Sequence, residues 1–329
     1  MVKQINLHLY EGNGVPINKR NQTLPDFEPL YELEDPKNYI AEKGLKNAVN
    51  VALALGQPLL ITGEPGTGKT QLASSIAYEL GLPILKFFTK TTSTATDLFY
   101  QYDALRRFQD SQASERKNLN IEDYITYQAL GKAILLSNRP EKAEKYLPKN
   151  LLEICPIRSV VLIDEIDKAP RDFPNDVLNE LEYMEFTVKE TGAIFKAEKK
   201  YQPILVLTSN SEKNLPDAFL RRCVFYHIPF PSPELLKQIV QRRFNRHPNF
   251  TPEFIDWAIE HFFEIREWAR KKKPATAEFL GWIRILQSLE LDLNDLKKGE
   301  PEALALSYSI LAKTQEDLAH LKDKLSKNI

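Results

Sequence analysis

The segment Gly63–Thr70, with the sequence GEPGTGKT, constrains the fold of this chain more than any other feature. The 329 residues include only 12 glycines, and three of them lie within the first six positions of this segment. The apolar run Leu59–Ile61 precedes it, and apolar residues at helical spacing follow it over Lys69–Leu80. A glycine-rich turn between a buried strand and a helix points several backbone N–H groups at one spot. This arrangement predicts an α/β fold with an anion site at the turn.

The residue types of the loop match the pattern G-x-x-x-x-G-K-[ST], which binds the phosphates of a nucleoside triphosphate. We expect Lys69 to place its ammonium against the β- and γ-phosphates, and Thr70 to bind Mg²⁺ through its hydroxyl. The predicted nucleotide-binding residues of the loop are Gly63, Glu64, Pro65, Gly66, Thr67, Gly68, Lys69, Thr70 and Gln71. Tyr39 and Ile40 are predicted to line the adenine pocket together with residues of a helical lid that is expected over 231–299. Since the chain has no NKxD signature of guanine recognition, ATP is the expected nucleotide.

Two carboxylates follow the apolar run Val160–Ile163, which has the composition of a buried parallel strand. Ligands of open α/β sheets bind at the carboxyl ends of the strands, so Asp164 and Glu165 are expected beside the phosphates. Asp164 would hold Mg²⁺ through its water shell, and Glu165 would orient or deprotonate the attacking water. The pair favours hydrolysis over transfer to a second substrate, although two solvated acids at the start of a loop would give the same sequence.

A further apolar run, Ile204–Leu207, ends in the polar residues Thr208–Asn210. If this strand lies between the two already described, Asn210 reaches the γ-phosphate and positions the water. Arg221 and Arg222 follow a short helix and are predicted to reach the nucleotide of a neighbouring subunit. The alternative interpretations are a strand-end turn residue for Asn210 and a salt-bridged surface pair for the arginines.

The overall charge and the cysteine content exclude several classes of protein. Lys and Arg number 44 against 45 Asp and Glu, so the net charge of −1 gives no global attraction to nucleic acid or to an anionic membrane. Cys155 and Cys223 cannot form a disulfide framework or a four-cysteine zinc site, and we expect them to be buried thiols of a reducing compartment. Residues 1–10 lack the apolar core of a signal peptide, and no apolar run is long enough to span a membrane. The protein is predicted to be cytoplasmic.

Strands that alternate with helices up to residue 228, followed by helices alone, predict two domains joined by the proline-rich linker 229–233. The predicted organisation is an N-terminal extension over 1–35, a core over 36–230, a helical lid over 231–299 and a C-terminal helix over 300–329. Within the core, an insert is expected over about 91–150, a helix over 174–184 and a β-hairpin over 186–197. Strands are expected over 84–88 and 224–228, and the last helix is expected over about 303–327.

The stretches Pro58–Thr70, Leu162–Pro170, Thr208–Asn210 and Leu215–Cys223 together resemble the AAA+ ATPases, and within them the MoxR-type branch, which is similar to McrB-like and dynein-related modules. The resemblance covers about 31–291. It implies a P-loop NTPase αβα sandwich with a five-stranded parallel sheet and an all-helical lid. It also implies a homo-oligomeric, usually hexameric, ring that binds ATP and Mg²⁺ at subunit interfaces and acts in a chaperone-like way on a protein client, which for this branch can be a von Willebrand A-domain protein.

The resemblance also implies a role for each site residue. Lys69 and Thr70 bind ATP and Mg²⁺, and Asp164 and Glu165 form the Walker B pair. Asn210 is the sensor 1 residue. Arg222 is the better-aligned arginine finger, with Arg221 as its rival.

The chain departs from the MoxR pattern at one position of the lid. Ala277 stands where the family carries its sensor 2 arginine, which leaves Arg284, about two turns further on, as the candidate substitute. The insert and the hairpin fit places that face the ring pore in the family. Client contact is one interpretation of the aromatic and basic residues of the insert, and local packing or a solvated charge is the favoured one; these residues are Tyr100, Tyr102, Arg106 and Arg107.

Two alternative functions remain open. A nucleic-acid motor of the McrB-like kind is suggested by the basic residues Arg266, Arg270 and Lys271–Lys273, although the neutral charge disfavours nucleic acid as a partner. A P-loop kinase or a nucleotide switch is the other alternative, and the acid pair and the two arginines count against the kinase.

Overall fold

The computed structural model describes residues 35–113, 120–211, 215–244, 251–288, 304 and 307–327. Residues 1–34 of the predicted N-terminal extension and 289–299 of the predicted lid lie outside the described residues. The chain forms two compact units. We call residues 41–64 and 68–229 the α/β unit, and the described parts of 1–40, 65–67 and 230–329 the helical unit.

A parallel sheet forms the centre of the α/β unit. The strands are β1 Leu59–Gly63, β2 Ile84–Phe88, β3 Tyr100–Tyr102, β4 Ile125–Tyr127, β5 Val160–Asp164, β6 Glu185–Val188, β7 Ala193–Lys196, β8 Ile204–Ser209 and β9 Val224–Ile228. Among the described residues, five of them form one parallel sheet in the order β2-β5-β8-β1-β9. The antiparallel pairs β3-β4 and β6-β7 are separate, and the second is the predicted hairpin. The predicted five-stranded parallel sheet is confirmed. In it β8 lies between β5 and β1, which is the condition under which Asn210 is expected to reach the γ-phosphate.

The helices of the α/β unit are α1 Lys43–Leu55, α2 Lys69–Leu80, α3 Ala104–Ala113, α4 Ala129–Leu136, α5 Pro140–Ala143, α6 Lys149–Leu152, α7 Phe173–Asp176, α8 Leu178–Tyr183 and α9 Asp217–Leu220. The helical unit contains α10 Pro233–Phe244, α11 Pro252–Trp268, α12 Thr276–Ser288 and α13 Gln315–Lys327. Short 3₁₀ helices cover Pro36–Asn38, Ala95–Leu98, Ile121–Tyr124, Ile166–Lys168 and Lys199–Tyr201. No helix in these described ranges is long and apolar enough to cross a bilayer.

Three segments of the α/β unit differ from the sequence-based expectation. A single helix over 174–184 is wrong, because the backbone of Val177 (φ −97°, ψ −1°) separates α7 from α8. Part of the expected insert is core, since Leu130 and Ile134 of α4 are fully buried and α4 packs on β2 and β5. The two cysteines are half-buried rather than buried. Burial raises the pKa of the Cys155 thiol and raises that of the Cys223 thiol to about 12.

The helical unit has its own core of aromatic and aliphatic side chains. Trp282, Phe262 and Phe279 are fully buried there. All three tryptophans of the chain, Trp257, Trp268 and Trp282, belong to this unit. A continuous helix over 303–327 was expected, but α13 begins only at Gln315, because the Thr314 hydroxyl caps it by accepting the backbone N–H of Asp317.

Candidate nucleotide site

The carboxyl ends of β1, β5 and β8 meet at one edge of the parallel sheet. The loop 63–70 follows β1, Asp164 and Glu165 stand at the end of β5, and Asn210 follows β8. Three segments that are far apart in sequence therefore place their polar side chains side by side, as expected for a ligand site of an open α/β sheet.

The loop after β1 turns the chain sharply into α2. Gly66 (φ 78°) and Gly68 (φ 88°) have left-handed backbone angles, which a residue with a Cβ would adopt only with strain. Gly68 is also the N-cap of α2, so free backbone N–H groups and the positive end of the helix dipole are both present at this turn. The loop therefore combines the features that bind an anion.

Lys69 is buried at the first position of α2, with 6 % of its surface exposed. Its Nζ donates hydrogen bonds to the carbonyl oxygens of Gly63 (2.8 Å) and Glu64 (3.0 Å), and to Oδ1 of Asn210 (3.0 Å). The ammonium thus joins the loop to the end of β8.

Burial lowers the pKa of Lys69, and nearby negative charges oppose part of that shift. These charges belong to Asp167, Asp164, Glu165 and Glu64, in decreasing order of effect. An incoming phosphate would add a negative charge beside the ammonium and favour its protonated form further.

The carboxylate of Asp164 accepts two hydroxyl groups from different elements. Thr70 Oγ1 donates to Oδ1 (3.0 Å) and Oδ2 (3.2 Å), and Thr208 Oγ1 donates to Oδ1 (2.5 Å). Asp164 and Thr208 are both buried. The contact between Thr70 and Asp164 brings together the two residues that were predicted to bind Mg²⁺.

Glu165 has a strained backbone, because its φ of 55° lies in the left-handed region that non-glycine residues rarely adopt. Its backbone N–H donates to Thr208 Oγ1 (2.8 Å). Its half-exposed carboxylate forms an ion pair with Lys168, which raises the pKa of Lys168. Exposed ion pairs are weak, so the Glu165 side chain can leave this partner for a water at the site.

Two polar residues of the site were not assigned a role from the sequence. Thr208 bonds both Asp164 and the backbone of Glu165, and Asp167 accepts the backbone N–H of Asn210 through Oδ1 (3.3 Å). The contact of Asp167 is structural, because it ties the 3₁₀ helix after β5 to the end of β8. Both contacts depend on the pairing of β5 with β8, which a single sequence does not give.

Arg221 and Arg222 lie near the amino-terminal ends of the parallel strands, whereas the loop follows the carboxyl end of β1. They precede β9, whose first residue, Val224, pairs in parallel with Leu59 at the start of β1. The loop follows the other end of β1, about 13 Å further along the strand at ~3.3 Å per residue. These arginines therefore stand away from the phosphate loop of their own chain.

The two arginines differ in their partners. Arg222 Nε forms an ion pair with Glu182 (3.0 Å), and its Nη1 donates to the carbonyl of Ala218 (3.0 Å). The Arg221 side chain is exposed and makes no hydrogen bond or ion pair to another described residue. Both border a cavity of about 190 Å³ with an apolar floor that includes Leu178 and Phe219.

The remaining predicted residues lie elsewhere. Tyr39 and Ile40 are half-buried and follow the 3₁₀ helix Pro36–Asn38 in the helical unit, so their adenine contact stays a prediction. Ala277 is exposed near the start of α12, and Arg284 is half-buried two turns later. Gln71 is half-buried in the first turn of α2.

The aromatic and basic residues of the insert make local contacts. Tyr100 is buried, and its hydroxyl accepts the N–H of Lys189 (3.0 Å). Arg107 donates to the Tyr102 hydroxyl (2.8 Å), and Arg106 lies over the ring of Tyr124 at 5.7 Å.

The donor set fits a hydrated magnesium ion bound with ATP. The Thr70 hydroxyl and the Asp164 carboxylate are hard oxygen ligands, and Mg²⁺ in phosphate sites usually completes its shell with water and phosphate. Mg²⁺ bound in this way requires only one or two protein ligands. The described ranges contain no group of three or more His, Cys, Asp or Glu residues arranged for a metal. The hydroxyl of Thr89, whose backbone N–H donates to the Asp164 carbonyl, is buried without a hydrogen-bond partner in the described structure. A bound oxygen would satisfy it.

Comparison with known proteins agrees with this geometry. The family model described as AAA domain (dynein-related subfamily) matches residues 58–223, from the residue before β1 to the residue before β9. A search among curated proteins found no match.

Proposed function

The chain belongs to the AAA domain family, dynein-related subfamily, and is therefore an ATPase of the AAA+ class, and from this premise we propose that it is a Mg²⁺-dependent, ring-forming ATPase of the MoxR type that remodels a protein client. The observation that carries the proposal is the meeting of Lys69, the Thr70–Asp164 pair and Asn210 at one edge of the sheet, beside Glu165. Binding, metal ligation and water activation each have a residue there.

Each of these residues has one task in the proposed reaction. Lys69 and the loop N–H groups hold the phosphates, while Thr70 and Asp164 hold Mg²⁺. Mg²⁺, when bound, supplies electrostatic stabilisation of the charge that develops on the phosphoryl oxygens. Asn210 orients the attacking water, and the Glu165 carboxylate takes the proton that this water loses.

Replacement of the proposed base tests the function. We expect Glu165→Gln to lower ATP hydrolysis at least ~100-fold, because general-base catalysis contributes that much or more. The affinity for fluorescently labelled ATP should stay within about threefold of that of the wild type, because the phosphate-binding residues are unchanged. Glu79→Gln, an exposed substitution on α2, is the matched control and should hydrolyse ATP normally. A wild-type protein without Mg²⁺-dependent hydrolysis would contradict the proposal.

We further propose that one of the two arginines completes the site of the neighbouring subunit. Their place at the far edge of the sheet supports this role, because they stand away from the phosphates of their own chain. Arg222 aligns better with the family, whereas Arg221 has no ion pair to hold it among the described residues. Such a finger contributes ~10³-fold or more to the rate.

Mixing inactive variants distinguishes a finger in trans from a structural arginine. Arg221→Ala and Arg222→Ala are each mixed one to one with Glu165→Gln. The mixture that contains the variant without the finger should reach about a quarter of the wild-type rate. In that mixture, a quarter of the interfaces pair an intact Glu165 with an intact arginine. If neither mixture is more active than its components, the trans role is wrong.

The client is proposed to be a protein, with von Willebrand A-domain proteins as the class that the MoxR resemblance suggests. Glu165→Gln in ATP should hold the ring and its client together, and mass measurement in ATP should give a species of about six subunits. A strictly monomeric protein in ATP would contradict the ring.

A second candidate function, a nucleic-acid motor, is favoured by one observation. Arg270, Lys271, Lys272 and Lys273 form an exposed basic turn in the helical unit. Arg266 does not contribute to it, because its guanidinium is buried and lies 3.5 Å from the centre of the Phe230 ring.

The two functions differ in their response to DNA and RNA. A motor would show turnover that either nucleic acid stimulates and that charge reversal at Lys271–Lys273 abolishes. Turnover that is unchanged across nucleic acids would leave the protein client as the better proposal.

A further inference from the structure

Thr208 is a fully buried residue of β8 whose hydroxyl is shared between two residues of β5 and its following turn. It donates to Asp164 Oδ1 at 2.5 Å and accepts the backbone N–H of Glu165 at 2.8 Å. One hydroxyl thus contacts both the residue proposed to hold the metal and the residue proposed to activate water.

Each of these hydrogen bonds stabilises one feature of the site: the orientation of the Asp164 carboxylate or the backbone conformation of Glu165. The carboxylate of Asp164 can rotate, and a buried donor from a neighbouring strand fixes its plane independently of Thr70. The left-handed backbone of Glu165 is unfavourable for a residue with a Cβ, so it persists only where neighbouring groups hold it. The Thr208 hydroxyl supplies an acceptor for the N–H at that strained position.

We propose that Thr208 is a positioning residue for ATP hydrolysis, which links the orientation of the Asp164 carboxylate to the backbone turn that aims Glu165. This inference rests on the proposed ATPase function and deepens it. Thr208 touches neither ATP nor the attacking water in the proposal; it acts through Asp164 and Glu165.

Two substitutions separate the hydroxyl from the volume of the side chain. Thr208→Val keeps the shape and removes both hydrogen bonds, whereas Thr208→Ser keeps the hydroxyl and removes a methyl group. Thr62→Val is the matched control, since Thr62 is also a fully buried strand threonine, on β1, but its hydroxyl bonds His227 Nδ1 (3.0 Å) away from the acids. The full-length chain is used throughout, and its folding is checked by thermal unfolding.

Three quantities are measured for each variant: kcat, KM for ATP, and the Mg²⁺ concentration that gives half-maximal binding of labelled ATP. Thr208→Val should lower kcat about 10- to 100-fold and raise the Mg²⁺ requirement about tenfold, the range typical of residues that orient metal ligands. KM should change less than about threefold, because the loop and Lys69 are intact. Thr208→Ser should restore kcat to within about threefold, and Thr62→Val should leave all three values near those of the wild type.

The outcomes distinguish this inference from the proposed function. Normal kcat and Mg²⁺ requirement in Thr208→Val overturn the positioning role while ATP hydrolysis by the wild type stands. An equal loss in Thr208→Val and Thr62→Val also overturns it, because the cause would then be general destabilisation. Absence of hydrolysis in the wild type overturns the proposed function and this inference with it. If Thr208→Val does not fold, Thr208→Ala is compared with Thr208→Ser by the same criteria.

Discussion

Lys69 shows how much of this site depends on a single charge held out of water. A buried ammonium is costly unless several acceptors surround it. Here three oxygens do so, from Gly63, Glu64 and Asn210, and they come from both ends of the site. The same ammonium that is proposed to bind phosphate therefore also joins the loop after β1 to the end of β8.

Replacement of this lysine should separate binding from folding. Lys69→Met keeps the length of the side chain and removes the charge, so we expect the affinity for labelled ATP to fall at least ~100-fold, about 3 kcal/mol of binding free energy. The free energy of unfolding should change by less than about 2 kcal/mol, because the desolvation cost of the cation disappears with its hydrogen bonds. Urea titration and fluorescence anisotropy measure the two effects. Lys86→Met, exposed on β2, is the control, and ATP affinity that is equally low in both variants would contradict the expectation.

Among the helices, α4 lies unusually close to the backbone that precedes β3. A Cβ placed on Gly131 would lie 2.0 Å from the carbonyl oxygen of Phe99, which accepts the N–H of Gln128 at the start of α4. Glycine in a helix is normally unfavourable by about 1 kcal/mol relative to alanine. At this position it is required by the close approach of two backbones.

The helix glycines offer a matched pair of substitutions. Gly131→Ala should lower the free energy of unfolding by about 2–4 kcal/mol, because the backbone of Phe99 cannot move away cheaply. Gly44→Ala in α1 should change the free energy of unfolding by less than about 1 kcal/mol, since its Cβ would lie 2.7 Å from the hydroxyl oxygen at the far end of the Tyr226 side chain, which can shift more easily than backbone. Denaturant unfolding of both variants measures the difference, and equal effects would disprove the backbone explanation.

Elements with a strong local signal could be predicted from the sequence. The bounds of α2, β2 and β9 are confirmed as predicted. The buried strands have continuous apolar runs, and Gly81 at the end of α2 has the left-handed conformation of a helix C-cap. The division of α7 from α8 and the burial of α4 depend on tertiary packing, which the local pattern does not contain.

Some residues of the candidate site could likewise be predicted from the sequence, and others could not. The loop, the acid pair and Asn210 could be found from the sequence because each follows an apolar run and has a recognisable residue type. The contacts of Thr208 and Asp167 could not, because they cross from β5 and its following turn to β8 over more than 40 positions of sequence. The ion pair between Arg222 and Glu182 could not be predicted either, because these two residues are 40 positions apart in the sequence.

At the scale of the whole molecule, Asp317 joins two parts of the helical unit. Its carboxylate accepts the backbone N–H groups of Arg270 (2.9 Å), Lys271 (3.1 Å) and Lys272 (3.1 Å), and the Thr314 hydroxyl. Burial would raise the pKa of Asp317, but these hydrogen bonds outweigh it and lower the pKa to about 2, from 3.8. The start of α13 is thereby fixed to the basic turn after α11.

This depressed pKa gives the helical unit a stability that depends on pH. The contribution of Asp317 is present above its unfolded pKa of 3.8 and is lost as the pH falls through about 2, since protonation removes the charge that the N–H groups bind. Asp317→Asn should lower the free energy of unfolding at pH 7 by about 2 kcal/mol and flatten its change between pH 4 and pH 2. Urea unfolding followed by tryptophan fluorescence reports on this unit, which contains every tryptophan. Asp256→Asn, an exposed partner of Lys237, is the control, and an equally flat profile for it would refute the role of Asp317.

The position of the arginines at the opposite sheet edge from the phosphate loop has a consequence for assembly. In the proposed ring the subunits contact one another head to tail, so each copy uses two different faces. An open pair of this kind completes only one site, and closure of the ring provides every site with its arginine. The specific activity should therefore rise steeply with protein concentration and reach a plateau once closed assemblies predominate.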